Sequence, residues 1–190
     1  MGKTGFSAEI AEIVSELGKR EREQDAILGS TREIIRHCSN GIKLIHAGKL
    51  KEAKAEIAGA EKKVAPLAKT ERFTYLLEQV YQEIAEAKLL LAAVEGSPLP
   101  GWKELSMPFE PYLLGLCDLV GELRREMLEM LKKGDIKKAE AHFELMSRIY
   151  EELLPIRFSN SILPNFRKKQ DVARMQVESA RSEIVRAKMK

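Results

Sequence analysis

Four acidic residues lie in two stretches of sequence that are otherwise apolar and helical in pattern. Glu83 and Glu86 occur in YQEIAEAKLL, and Asp118 and Glu122 occur in YLLGLCDLVGELRR. Residues three or four positions apart share one side of a helix, so two antiparallel helices could direct all four carboxylates toward one point. Like charges in a partly dry site repel unless a cation or a proton neutralises them, and oxygen ligands favour Mg²⁺, Mn²⁺ or Ca²⁺ over Zn²⁺. The spacing therefore indicates a divalent-metal site.

Each acidic pair also has a purely structural interpretation. Asp118, Glu122 and Arg125 form the one polar strip of a helix that is apolar around more than half of its circumference, so Arg125 and a neighbouring lysine could neutralise the acids, or the strip could face solvent. Glu83 and Glu86 lie at the border of an apolar face, where surface glutamates are common. The metal hypothesis depends on the coincidence of the two pairs.

Other catalytic chemistries lack the residues that they need. A ferritin-like di-iron bundle requires Glu-x-x-His pairs, and none of the three histidines, His37, His46 and His142, follows a glutamate at that spacing. We interpret these histidines as helix-surface or capping residues. No hydroxyl, thiol and base are arranged for covalent catalysis. An all-carboxylate Mg²⁺ site instead favours phosphoryl chemistry, in which the metal polarises a phosphate and activates water.

The composition is typical of a long-helix protein. The chain has 190 residues, 44% of them apolar and 32% charged, with 12 glycines and 7 prolines. We predict an all-α fold in one domain over residues 1–190. Cys38 and Cys117 occur without partners at zinc or disulfide spacing, which predicts two buried, inert thiols. The sequence shows no signal peptide and no apolar run long enough for a bilayer, so we expect a cytoplasmic protein without a membrane partner.

Apolar periodicity predicts six helical stretches. A very long first helix begins at the N-cap Ser7 and ends before a turn at 46–49, and a second follows from Leu50 to Pro66. Two more run over about 71–94 and 108–131, separated by a proline-rich loop. A fifth starts after the N-cap Asp135 and ends before Pro155. The last, over about 165–187, has sparse apolar positions and is expected to be mostly exposed.

Basic residues accompany the acidic pairs, although the formal net charge of +3 by itself indicates no particular partner. Several could bind the phosphates of a nucleic acid, and the same residues could equally be solubilising surface groups. The candidates for nucleic-acid binding are Arg32, Arg36, Arg72, Arg125, Arg167, Lys168 and Lys169; Arg157 and Arg174 lie in the same basic segment after Pro155.

The sequence resembles the translin and TRAX family over nearly its whole length. The most specific match is PYLLGLCDLVGELRR, where the family has a YLLG…DL.GEL run, followed by KKGD and a further helix. Looser matches are the REIIR region of the first helix, the ERF and QEIAEA runs of the third stretch, and FRKKQDV at the start of the last helix. Arg72 matches a nucleic-acid-binding arginine of translin, whereas Thr74 and Leu76 replace the histidines that follow it there.

The resemblance implies an all-α bundle of about seven helices that assembles into a hollow octamer and binds single-stranded or structured RNA inside. In TRAX, the RNA is cut with magnesium. The TRAX glutamates in the run matching QEIAEA correspond to Glu83 and Glu86, and the aspartate and glutamate in the run matching DLVGEL correspond to Asp118 and Glu122. Translin lacks the paired glutamates and the aspartate, so the chain is TRAX-like. A homo-octamer without a separate translin partner is the expected assembly.

Three hypotheses follow. The leading one is an endoribonuclease in which Glu83, Glu86, Asp118 and Glu122 hold Mg²⁺, or Mn²⁺ as the alternative, while Arg125 and residues 167–169 position the strand. The second is a non-catalytic oligomeric scaffold for single-stranded RNA or DNA, in which the acids are structural. The third is a helical interaction protein without affinity for RNA. Loss of cleavage in EDTA with retained RNA binding would favour the first.

Overall fold

A computed structural model describes residues 5–68 and 72–189 and is all-helical over those ranges. Six α-helices and one short 3-10 helix make up the described part. They are α1 (Gly5–His46), α2 (Leu50–Leu67), a 3-10 helix (Thr74–Leu77), α3 (Glu78–Glu95), α4 (Phe109–Lys132), α5 (Ile136–Leu153) and α6 (Phe166–Lys188). The all-α prediction is confirmed. Among the described helices, none combines the length and the apolar content that crossing a membrane would require.

Helix α1 has two parts with different surroundings. Its buried residues begin at Ile27 and continue to Ile45, and this part packs against α2 and α3. The turn to α2 contains Gly48 at φ 72°, a left-handed conformation that favours glycine. The earlier part of α1 carries large apolar side chains that are exposed in the single chain. They are Phe6, Ile10, Ile13, Val14 and Leu17.

Helix α4 is the central element, since it packs against α3, α5 and α6. Its buried side chains include Leu119, Val120, Leu123 and Met127, each with essentially no exposed surface. The helix ends at Lys132, and Gly134 follows at φ 76°, as the Lys-Lys-Gly signal predicts. Covered on most sides, α4 is held firmly enough to position the few polar side chains that it carries.

Two predicted helix ends need adjustment. Helix α2 includes Pro66 and ends at Leu67, one residue later than predicted. The predicted start of the third helix at Glu71 lies outside the described residues, and the described chain there has Phe73 at φ 64° followed by the 3-10 helix, so α3 itself begins only at Glu78. The left-handed Phe73 breaks a helical pattern that the apolar spacing alone suggests is continuous.

The last helix is better covered than its sparse apolar content suggests. Phe166, Ala173, Val177, Ala180 and Ile184 are buried and form one face of α6, which packs against α4 and α5. The small side chains allow α6 to lie close to its neighbours. Its other positions are exposed or half-buried, so the prediction of a mostly exposed helix holds for only part of its surface.

Both cysteines are free and buried, as predicted. Burial, and then nearby carboxylates, raise the pKa of Cys38 and of Cys117 from 9.0 to about 12. At neutral pH both are therefore protonated thiols of low reactivity.

Candidate metal centre

Helices α3 and α4 approach each other closely at Gly115. A Cβ atom added to Gly115 would lie 2.8 Å from the Cβ of Ala85, 3.0 Å from the carbonyl oxygen of Gln82 and 3.2 Å from the backbone nitrogen of Glu86. Such distances leave no room for a larger residue without movement of the α3 backbone. The contact brings Asp118, one helical turn further along α4, beside the part of α3 that carries the predicted glutamates.

Asp118 connects three helices. Its Oδ2 atom accepts a hydrogen bond from Nε2 of Gln82 in α3 at 2.7 Å. The ammonium group of Lys169 in α6 lies 2.5 Å from Oδ1 and 2.6 Å from Oδ2 of the same carboxylate. The Lys169 side chain is 28% exposed and that of Asp118 is 24% exposed, so solvent reaches the pair. Asp118 is thus already paired with a cation from the chain itself.

Glu83 and Glu86 have no such cation. Both are half-buried, and within residues 5–68 and 72–189 neither forms a hydrogen bond or an ion pair. Burial, and then the charges of Asp118, Glu83 and Glu122, raise the pKa of Glu86 from 4.5 to about 8, while Lys169 acts in the opposite direction. Burial and Asp118 also raise the pKa of Glu83. The four predicted acids are therefore close enough to repel one another.

Glu122 is held by a histidine. Oε2 of Glu122 contacts Nε2 of His46, and Nδ1 of the same ring contacts Oε1 of Glu126. The His46 side chain is only 6% exposed. The interpretation of His46 as a surface or capping residue is thus wrong, because its ring is enclosed between two carboxylates of α4.

The other two histidines differ from His46. His37 has a half-exposed side chain that bonds to Glu56 of α2, with 2.6 Å between Nδ1 and Oε2, as suits a helix-surface residue. Burial lowers the pKa of His142, with the charge of Glu126 acting in the opposite direction. His142 is therefore also more enclosed than a surface position implies.

The carboxylates are ligands of the type that a divalent cation prefers, although some of them already contact other side chains. Within the described residues, no three Asp, Glu, His or Cys side chains stand close enough together to hold a metal ion as they are placed. Asp118 faces a lysine, Lys169, as the structural interpretation expected, whereas Glu122 faces His46, which that interpretation did not include. That interpretation leaves Glu83 and Glu86 unexplained, since both are half-buried with raised pKa values and neither is paired with a cation in the described residues.

The predicted nucleic-acid-binding residues do not form one patch. Besides Lys169, only Arg125 lies beside the acids, with 3.9 Å between its Nη1 and Oε2 of Glu122. Arg72 faces two acids of α1, at 3.7 Å from Glu16 and 4.0 Å from Glu23. The remaining predicted residues are exposed: Arg32, Arg36, Arg167 and Lys168.

Arg167 belongs to a separate basic cleft between the end of α5 and the start of α6. The cleft has a volume of about 660 Å³ and is lined by Arg157, Arg167 and Arg174, with the exposed Phe158 and the acidic Asp171. Arg167 precedes Lys169 by two residues, which places it on nearly the opposite side of α6. The cleft and the acidic cluster therefore lie on different flanks of that helix.

Three residues of the site were missed from the sequence: Gln82, His46 and Glu126. Gln82 lies one turn before Glu86, and Glu126 lies one turn beyond Glu122, so helical periodicity could have indicated both. His46 follows Ile42 by four positions and so continues the buried face of α1. A buried histidine one turn beyond a core residue is the signal that could have identified it.

This all-α fold, with an acidic cluster between two helices, matches known proteins over nearly its full length. The model of the Translin family matches residues 8–182, and the chain belongs to that family. An uncharacterised protein of Methanocaldococcus jannaschii is 33% identical over 182 residues, which cover 93% of this chain and 82% of the relative.

Solved structures share the fold. AfC3PO in complex with duplex RNA superimposes with a TM-score of 0.87 at 33% identity, covering 95% of this chain and 97% of the other. The crystal structure of AfC3PO gives a TM-score of 0.88 with the same identity and coverage. Apo-NeC3PO, at 22% identity, covers 94% of this chain and 96% of its own with a TM-score of 0.83, which shows a shared fold.

Proposed function

We propose that this chain is a TRAX-like, metal-dependent endoribonuclease that binds RNA within a homo-oligomer. The observation that carries the proposal is the pair of half-buried carboxyls, Glu83 and Glu86, which face Asp118 and Glu122 without a cation of their own. Acids arranged in this way raise one another's pKa, and a protein retains such repulsion most readily where function requires it. The likeness to an AfC3PO–duplex RNA complex at 33% identity supports RNA as the ligand class.

The cation would be held by Glu83, Glu86, Asp118 and Glu122, and oxygen ligands of this kind suit Mg²⁺ or Mn²⁺. When bound, the cation would polarise a phosphodiester and lower the pKa of the attacking water. One of the four carboxyls would also accept a proton from that water.

Lys169 and Arg125 would contact the RNA at this site. Lys169 is bound to Asp118, and its flexible, partly exposed side chain can turn to a phosphate when a metal takes its place. The Arg125 side chain is 57% exposed beside Glu122 and is free to do the same. These two cations lie next to the carboxylates, where the scissile phosphate must sit, whereas the basic cleft on the other flank of α6 would hold a more distant part of the strand.

Self-association is part of the proposal, with an octamer as the expected size. The first part of α1 exposes a stripe of apolar side chains, among them Phe6, at 72% exposed, and Val14, at 63%. Apolar surface of this extent on one helix face indicates contact with another chain. In a homo-oligomer, a second copy of the same chain covers this apolar stripe. Closed symmetry would let each copy cover the stripe of its neighbour.

The experiment is cleavage of an end-labelled RNA in Mg²⁺ and in EDTA, with purified wild-type, Glu83→Gln and Asp118→Asn proteins whose helical content is checked by circular dichroism. The wild type should cut only in Mg²⁺, and both variants should lose at least about 100-fold in rate. Both should still bind RNA in a filter assay. Cleavage by the folded variants at the wild-type rate would exclude this mechanism.

The second candidate is a non-catalytic scaffold for single-stranded RNA or DNA. The ion pairs of Asp118 with Lys169 and of Glu122 with His46 favour it, because they give both acids a structural role. This function predicts RNA or DNA binding that is steeply salt-dependent and unaffected by EDTA, without any cleavage in Mg²⁺. The same gel and filter assays therefore distinguish the two functions.

A further inference from the structure

His46 occupies an enclosed position behind the acidic cluster. It is the last residue of α1, and its ring lies between two glutamates that are one turn apart on α4. Glu122 contacts Nε2 of the ring, and Glu126 contacts Nδ1. Glu126 is 5% exposed and is one of the two buried polar or charged residues in the described part of the chain.

Both ring nitrogens of His46 act as donors. An ionised carboxylate can only accept hydrogen bonds, so a ring that contacts two carboxylates must carry a proton on each nitrogen. Burial lowers the pKa of His46, but the hydrogen bonds to Glu122 and Glu126 outweigh it and raise the pKa from 6.5 to about 9. The C-terminal end of a helix also favours a positive charge. The His46 ring is thus held at both nitrogens, by Glu122 on one side and by Glu126 on the other.

The two glutamates have different surroundings. Glu122 faces the cluster, since its charge contributes to the raised pKa of Glu86. Glu126 is directed to His46 and lies away from the cluster among buried side chains. Arg125 approaches Glu122 only to 3.9 Å, beyond hydrogen-bonding distance, so His46 is the group that fixes the Glu122 carboxylate.

We propose that His46 and Glu126 form a positioning pair, in which Glu126 orients the imidazole and the imidazole fixes Glu122 for a divalent cation. The inference rests on the proposed role of Glu122 as a metal ligand. Ligands in metal sites are generally oriented by outer hydrogen-bonding partners, and loss of such a partner weakens metal affinity by about 10–100-fold. Buried ion pairs contribute little net stability, so a structural role alone gives little reason for burying this one.

The test measures Mn²⁺ binding by calorimetry, with the metal alone, for the full chain and for His46→Gln. The proposal predicts that this variant binds Mn²⁺ about 10–100-fold more weakly than the wild type. His37→Gln is the matched control, because it removes a histidine–glutamate hydrogen bond from the same helix, to Glu56, away from the cluster. Its Mn²⁺ affinity should equal that of the wild type, and thermal melts should report any loss of stability in either variant.

Glu126→Gln is the second variant, which decides the matter if His46→Gln does not fold. It keeps the size of the side chain and leaves Glu122 and His46 in place, and it should weaken Mn²⁺ binding several-fold. Wild-type affinity in a folded His46→Gln or Glu126→Gln protein would overturn the positioning role while leaving the proposed metal site intact. If the wild type itself binds no Mn²⁺, the metal site and the positioning role are both wrong.

Discussion

Lys169 contacts both carboxylate oxygens of Asp118, with its Nζ atom 2.5 Å from Oδ1 and 2.6 Å from Oδ2. This ion pair joins the start of α6 to α4 and places an ammonium group among the acids, where it also acts to lower the pKa of Glu83 and of Glu86. In the proposed function, a divalent cation must take its place at Asp118. Lys169 is then a competitor of the metal in the free protein and a partner of the phosphate in the complex.

Replacing Lys169 separates these two roles. Lys169→Met should bind Mn²⁺ several-fold more tightly at pH 8, because the competing charge is gone, and should cleave RNA more slowly, because a phosphate contact is lost. Calorimetry and the cleavage assay measure the two effects. Lys168→Met is the control, since Lys168 is the exposed neighbour of Lys169 and has no ion pair in the described structure. The Mn²⁺ affinity of this variant should not change. Weaker Mn²⁺ binding by Lys169→Met would contradict the competition.

Glu86→Gln should stabilise the metal-free protein at alkaline pH. The folded pKa of about 8 lies above the ordinary glutamate pKa of 4.5, so the folded chain holds this proton more tightly than the unfolded chain. Glu86 therefore costs stability increasingly as the pH rises from about 4.5 to 8. In EDTA, the gain in unfolding free energy of the variant should be near zero at pH 4.5 and on the order of a few kcal/mol at pH 8. Thermal melts across this range test it, and a pH-independent difference would argue against a repelling cluster.

Gly115 should resist even a methyl group. Gly115→Ala places a Cβ atom 2.8 Å from Ala85, so α3 and α4 must move apart at a cost of about 1–3 kcal/mol. The same shift should weaken Mn²⁺ binding, because it moves Glu86 away from Asp118.

Gly121 in the same helix provides the comparison. A Cβ atom there meets nothing within 4 Å, so Gly121→Ala should gain up to about 1 kcal/mol from helix propensity. Urea unfolding of both variants measures the difference. Equal effects at the two glycines would mean that the close approach of α3 and α4 is not required.

The basic cleft should contribute to RNA affinity without affecting the chemistry. Arg167→Ala combined with Arg174→Ala should weaken binding of RNA and reduce the slope of log affinity against log salt by about 1 for each lost phosphate contact. Cleavage at saturating RNA should stay at the wild-type rate. Lys132→Ala is the control, because its ammonium is already paired with Glu129 at 3.6 Å, and it should leave the slope unchanged.

Much of the fold could be predicted from local sequence. Apolar periodicity and end signals such as Asp135 and Gly134 are local features, and they gave helix limits within a few residues for α2, α4, α5 and α6. The start of α3 could not be predicted, because a left-handed Phe73 has no sequence signal comparable to glycine. The burial of one face of α6 depends on α4 and α5, which a single helical pattern does not describe.

The candidate site could also be predicted only in part from local sequence. Its four acids were found because three- and four-residue spacings are visible within each helix. The partners of Asp118 and Glu122 come from α6 and α1, more than 50 residues away in the chain, so only the packed structure shows which cation meets which acid. For His46, the last residue of α1, the enclosing pair of glutamates is met only in the folded chain.

The most direct measurement of the central claim is an anomalous difference map from crystals of the full chain grown with Mn²⁺. If the proposed metal site is correct, the map has a peak among the carboxylates of Glu83, Glu86, Asp118 and Glu122, with the Lys169 ammonium moved away from Asp118. A map without a peak there, in which Lys169 still holds both oxygens of Asp118, would contradict the proposed metal site.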